Sequence, residues 1–342
     1  MRHFTRLALA AALLTVAPRA TAQDAEVTWT ASPWFAERVA NLAEDPDIRV
    51  HVNEPTNNDG QGGADGRPTR LLVFALPNGN TLEETLGCAP AEGRHWRHGI
   101  QHIAAQTRML RSMLPEERIV LIAVEAKGLT WPNWRATHEG ANAIIAEKLA
   151  AWRERFGGRP SKSALSKVTL ACHSGGGSFL WGVIEGNDAL PDWLDRIVYL
   201  DANYSFDAKL HDEKLRAWLD APGDEHRLVV IAYDDREITI DGKKIVGDDG
   251  GTFRATERMH RAFSAAKPLV TAVEEPWTRT VGWAGRFRSE VHANPENKIL
   301  HTRLVGEMNG LVHAQLIGQT PEDWPGLTPP ALYEEWIQPE PY

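Results

Sequence analysis

The sequence predicts an α/β fold, a mostly parallel central sheet with helices on both faces. Short, β-branched apolar runs recur along the chain, and longer segments with helical spacing fall between them. The runs are almost continuously apolar, which suits strands buried on both faces rather than strands with one wet face. No self-similar period of roughly 20 to 50 residues interrupts this alternation, so solenoids and propellers are set aside.

The elements follow in chain order. Residues 1–22 carry Arg2 and Arg6, an apolar run from Leu7 to Ala17 and the small pair Ala20 and Ala22, the pattern of a secretory signal peptide cut after Ala22. The apolar part is shorter than the roughly 20 residues that a membrane-spanning helix needs. The expectation is therefore a secreted or periplasmic protein with no membrane partner. Loss of the segment removes Arg2, Arg6 and Arg19 and moves the formal net charge from −9 to −12. So acidic a chain argues against a nucleic-acid partner. Residues 23–342 are expected to form a single domain with a proper core and no need of a disulfide framework. Export would permit a bridge between Cys88 and Cys172, but Cys172 closes an apolar run, where a free thiol packs well.

"IRVHV" from Ile48 and "TRLLVFAL" from Thr69 predict the first two strands, on either side of a Gly/Asp-rich loop. "RIVLIAVEA" from Arg118, "KVTLAC" from Lys167, "RIVYLD" from Arg196, "RLVVIAYD" from Arg227 and "KILHTRLV" from Lys298 predict the rest. Helical spacing predicts helices over 100–114, 139–156, 207–219 and 254–263. Only one short helix lies between the strands at Arg196 and Arg227, so no large lid domain is expected. A hairpin over 236–251 and the segment starting at Glu274 are expected to be insertions that wall an open cleft.

In such a sheet, ligands gather beyond the carboxyl ends of the strands. Ser174 stands there, in "KVTLACHSGGGSF" from Lys167. A serine that presents its hydroxyl from a sharp strand-to-helix turn needs small neighbours, because adjacent backbones crowd it, and Cys172, Gly175 and Gly176 meet that demand. The stretch lacks the glycine spacing of a dinucleotide loop and the lysine of a phosphate loop. His173 is expected to shape the turn. Two strand ends offer an acid, Asp201 on one and Asp234 with Asp235 on the next. Asp201 is favoured because it ends its strand and leads straight into "ANYSF", whereas the later pair opens a hairpin. His313, beyond "KILHTRLV", stands where a general base would have to be, and His301 reads as a packed residue within that strand.

With its strands, serine turn, acid and histidine in this order, the chain resembles the α/β-hydrolase superfamily. "LPNGNT", "IQHIAAQTR", "HSGGGSF", "LDANY" and "AYDD" together resemble a group of exported bacterial serine hydrolases and esterases within it. The resemblance implies acyl transfer to water through a serine ester, with Ser174, His313 and Asp201, or alternatively Asp235 or Asp234, as the triad. It also implies an oxyanion hole from the N–H groups of Gly175 and of the loop "FALPNGNT", at Gly79 or Asn80.

Trp131, in "TWPNWR", and Asn80 are expected to border the substrate, since aromatic faces beside polar groups suit a sugar ring. The expected function is a carboxylesterase acting on a polar or carbohydrate-linked ester, with no cofactor and no metal, because no metal-ligand spacing such as H-E-x-x-H occurs. An amidase or peptidase with the same triad, and a catalytically silent fold that binds saccharide, are the alternatives.

Overall fold

The computed structural model describes residues 27–57, 62–63, 65–157, 166–223, 226–319, 321 and 323–342. The signal-peptide reading lies outside the described residues. Among the described residues the chain begins with β1 (Thr30–Ala31), β2 (Glu37–Glu44), β3 (Ile48–Pro55) and β4 (Thr69–Ala75), followed by α1 (Leu82–Leu86) and α2 (Ile103–Met113). It continues with β5 (Arg118–Ala126), α3 (Trp131–Thr137), α4 (Ala141–Phe156), β6 (Lys167–His173), α5 (Gly177–Gly186), β7 (Leu194–Leu200), α6 (Ala208–Asp220) and β8 (Arg227–Tyr233). A short hairpin of β9 (Thr239–Ile240) and β10 (Lys243–Lys244) precedes α7 (Thr252–Ser264), then β11 (Val270–Glu274), β12 (Trp277–Gly282), β13 (Phe287–His292) and α8 (Gly310–Leu316).

Eleven of these strands form one sheet, in the order β1-β2-β3-β5-β4-β6-β7-β8-β13-β12-β11. The run β5-β4-β6-β7-β8-β13 is parallel, while β3 pairs antiparallel with both β2 and β5, and β11 and β12 close the far edge antiparallel. The strands of the parallel run are apolar throughout because alternate side chains enter two different cores. Leu71, Val73, Val120, Ile122, Leu170 and Ile197 pack with Ile145, Phe179, Leu215 and Phe263 of α4, α5, α6 and α7. On the opposite face Leu72, Phe74, Leu121, Val198 and Ile231 pack with Leu82, Ile103 and Leu311 of α1, α2 and α8. Each fully buried aliphatic or aromatic side chain contributes about 1.5–3 kcal/mol.

The predicted final strand is not a strand. Residues 301–308 run through turns, and β13 takes the sheet position beside β8. The segment expected to be an insertion thus supplies the hairpin and the strand that extend the sheet. Its hidden signal is Glu290, fully buried in β13 and paired with Arg288 and Arg279, a charge that breaks the apolar pattern of a core strand. The first full strand, β2, is likewise fixed by a buried charge. Glu37 binds Arg108 at 2.7 Å and Arg111 at 2.8 Å, tying β2 to α2. Cys88 and Cys172 are both buried and free.

Candidate active site

β6 ends at His173, and the next residue, Ser174, adopts φ +53°, a left-handed conformation that costs a residue with a Cβ of order 1–3 kcal/mol. A 3-10 turn over Ser174–Gly176 then enters α5. The glycines are there for close approach. A Cβ on Gly176 would come within 2.2 Å of the Ala75 carbonyl oxygen at the end of β4, and one on Gly177 within 1.9 Å of the Ala202 carbonyl oxygen beyond β7. The serine turn is wedged between two neighbouring strand ends, as its small residues suggest. At the start of a helical turn, the Gly175 N–H has no intrahelical acceptor.

Asp201 follows β7, also with positive φ, +46°, and is 1 % exposed. Its Oδ2 lies 2.5 Å from Nδ1 of His301, and its Oδ1 accepts the Thr252 hydroxyl from the first turn of α7. The structure therefore brings Asp201 to a histidine, but that histidine is His301 and not His313. His301 stands in the turns beyond β13, with a side chain one-quarter exposed. Its ring lies 4.3 Å, centroid to centroid, from that of His173, the residue before the serine. Nε2 of His173 donates to the His301 carbonyl at 3.1 Å. Burial, then the neighbouring His301, hold His173 well below the usual imidazole range, so it is a neutral brace that joins the serine turn to the histidine turn.

His313 lies elsewhere, within α8, and both of its ring nitrogens are occupied. Nδ1 accepts the Trp324 indole N–H at 3.0 Å, and Nε2 donates to Glu290 at 3.1 Å. Burial opposes the Glu290 charge, but the bond from His313 and the Arg288 and Arg279 guanidiniums bring its pKa down to about 2. His313 is the brace between α8 and β13. Asp234 forms a part-exposed ion pair with Arg236 at 2.7 Å. Asp235 caps α7, accepting from Thr252 N–H at 2.7 Å and Phe253 N–H at 3.4 Å.

The loop after β4 is firmly held. Gly79 N–H donates to the Leu129 carbonyl at 2.8 Å, so this N–H is already used, and Arg97 Nη1 binds the Gly79 carbonyl at 2.6 Å. Thr81 and Glu84 form a capping box on α1, and Glu125 accepts from Leu82 N–H at 2.7 Å. Asn80 is 5 % exposed, its side chain turned into the protein. Asn78 is the exposed residue here. Its side chain would meet a Cβ on Gly175 at 2.0 Å, and its N–H meets no acceptor among the described residues. Trp131 is 1 % exposed, packed edge-on against Trp134 at 5.5 Å and Phe179 at 4.7 Å. It is a core residue beneath α5 and offers no face to a ligand. The exposed aromatic near the loop is Trp96, 64 % accessible, with the Arg97 guanidinium 5.6 Å from its ring centre.

No family model and no curated protein matches the chain. Solved structures similar to it include the siderophore hydrolases EstA and EstB from Aspergillus nidulans. EstA is 15 % identical, covering 75 % of this chain and 81 % of its own at a TM-score of 0.37, and EstB is 12 % identical, covering 88 % and 98 % at 0.40. Thermogutta terrifontis esterase 2, phosphoramylated by tabun, is 11 % identical and covers 77 % and 85 % at 0.37. The chain's own topology decides its fold: with the antiparallel β3 beside the parallel run β5-β4-β6-β7-β8-β13, and the serine turn leaving β6 at the centre of that run, this is an α/β-hydrolase fold.

Proposed function

We propose that the protein is an exported serine carboxylesterase in which Ser174 is the nucleophile, His301 the general base and Asp201 the acid. The observation that carries this reading is the 2.5 Å contact between Asp201 and His301 Nδ1, made beside a serine with positive φ at a strand end. With Nδ1–H committed to Asp201, Nε2 is the nitrogen left to take the Ser174 proton as Oγ attacks the ester carbonyl. The oxyanion is received by the N–H groups of Gly175 and Asn78. Collapse expels the alcohol, which takes the proton from His301. Water, deprotonated by the same imidazole, then releases the acid and restores Ser174.

The substrate side of the reading is a polar ester. Its support is the exposed Trp96 and the Arg97 guanidinium beside the loop after β4, and a single helix, α6, between β7 and β8. Export rests on the N-terminal sequence pattern. Among the described residues no helix is long and apolar enough to cross a membrane.

A fluorophosphonate probe tests the chemistry. It is expected to label the wild-type protein at Ser174, and Ser174→Ala is expected to lose both the label and p-nitrophenyl ester turnover by orders of magnitude with its melting temperature kept. An unlabelled wild-type protein, or a label on another residue, ends the reading. Comparing an ester with the matching anilide separates a carboxylesterase from an amidase.

A further inference from the structure

Tyr204 stands in the turn between β7 and α6, three residues beyond Asp201, and its backbone is fixed from α7. Arg258 Nη2 donates to the Tyr204 carbonyl at 2.9 Å, and the preceding Asn203 donates to Thr256 Oγ1 at 3.0 Å. The residue is 37 % exposed. Its hydroxyl nevertheless lies 3.5 Å from His301 Nδ1 and close to the Ser174 side chain. Among the described residues that phenol has no other hydrogen-bond partner. Nδ1 already gives its proton to Asp201 at 2.5 Å, which leaves the phenol proton free for an oxygen bound at Ser174.

We infer that Tyr204 is a catalytic residue that donates a hydrogen bond to the leaving oxygen of the substrate and so fits the site to esters of aliphatic alcohols, sugar hydroxyls included. The inference rests on the serine-esterase reading above. As the tetrahedral intermediate collapses, the bond from the carbonyl carbon to the alcohol oxygen breaks and its electron pair moves onto that oxygen. His301 delivers the proton from Nε2, while Tyr204 keeps its own proton and stabilises the oxygen at the moment its charge peaks. Burial at the hydroxyl end, then the Asp201 carboxylate, push the phenol well above its ordinary value, so it remains a donor at every pH where the enzyme would work. A p-nitrophenolate spreads its charge into the ring and gains little from such a donor. An alkoxide cannot spread its charge and gains most.

Tyr204→Phe keeps the ring and removes the hydroxyl. With the ethyl and p-nitrophenyl esters of the same short acid, kcat/KM for the ethyl ester is expected to fall about 10- to 100-fold and that for the p-nitrophenyl ester less than about 3-fold. Fluorophosphonate labelling at Ser174 should persist. Equal losses on both esters, or no loss on the ethyl ester, overturn the role of Tyr204. If the variant fails to fold, the wild-type protein supplies the same quantity through a series of alcohols of graded acidity. A shallow dependence of kcat/KM on leaving-group pKa supports the donor and a steep one overturns it. An unlabelled wild-type protein overturns the esterase reading and this inference with it, whereas labelling combined with equal losses overturns Tyr204 alone.

Discussion

His301 and His313 differ in what their ring nitrogens are doing, and that difference decides what each can contribute. His301 commits Nδ1 to Asp201 and keeps a part-exposed ring, whereas His313 spends both nitrogens on Glu290 and Trp324. His301→Gln is expected to lower ester turnover by about 10⁴ or more with little change in melting temperature. His313→Gln should keep its activity at low temperature and lose about 1–3 kcal/mol of stability, because Glu290 is left buried without that partner. Turnover and thermal melts on both variants check this, and the reverse pattern would return the base to His313. The placement of Ser174 and Asp201 just beyond strand ends was legible in the sequence because each closes an apolar run. His301 was not, since "KILHTRLV" has a strand's composition and only the pairing of β13 with β8 shows that the strand position is already taken. Trp131 misled for a simpler reason: a tryptophan in a polar neighbourhood of sequence can still point into the core.

At the scale of elements, α7 organises the surroundings of Asp201. Its first turn gives Thr252 to Asp201 and receives a cap from Asp235, its second gives Thr256 to Asn203, and Arg258 reaches Tyr204. Asp235 was one candidate for the acid, and its place at this helix start gives it a separate signature. Asp235→Ala is expected to cost about 1 kcal/mol of stability through the lost cap. It should leave p-nitrophenyl ester turnover within a few-fold of wild type, and a dead but well-folded variant would make Asp235 the acid. The strands β3 to β8 were readable from their continuous apolar runs and the long helices from their helical spacing. The far edge was not, because β13 carries a charge that only its tertiary partners, His313, Arg288 and Arg279, make tolerable.

Across the whole molecule, buried histidines set the response to acid. Burial takes His51, His102 and His260 down to about 4. In the unfolded chain they titrate near 6.5, so between these values the unfolded state binds more protons and folding weakens as pH falls. Their full contribution is present above about pH 6.5 and drains away towards pH 4. Glu37 and Glu290, held at about 2, add a second loss that begins below about pH 4.5. Melting temperatures should therefore already fall between pH 7 and about pH 5, above the range in which Glu37 and Glu290 add their loss, and a flat profile down to pH 5 would contradict the burial of these rings. The loop after β4 and the turn after β7 are supported independently of each other. In the first, Arg97 grips the Gly79 carbonyl and leaves Trp96 in solvent, while in the second α7 holds Asp201 and Tyr204 in place. On the proposed reading, substitutions at Trp96 leave the supports of Asp201 and Tyr204 in place, so substrate preference and catalytic competence are free to diverge separately in this scaffold.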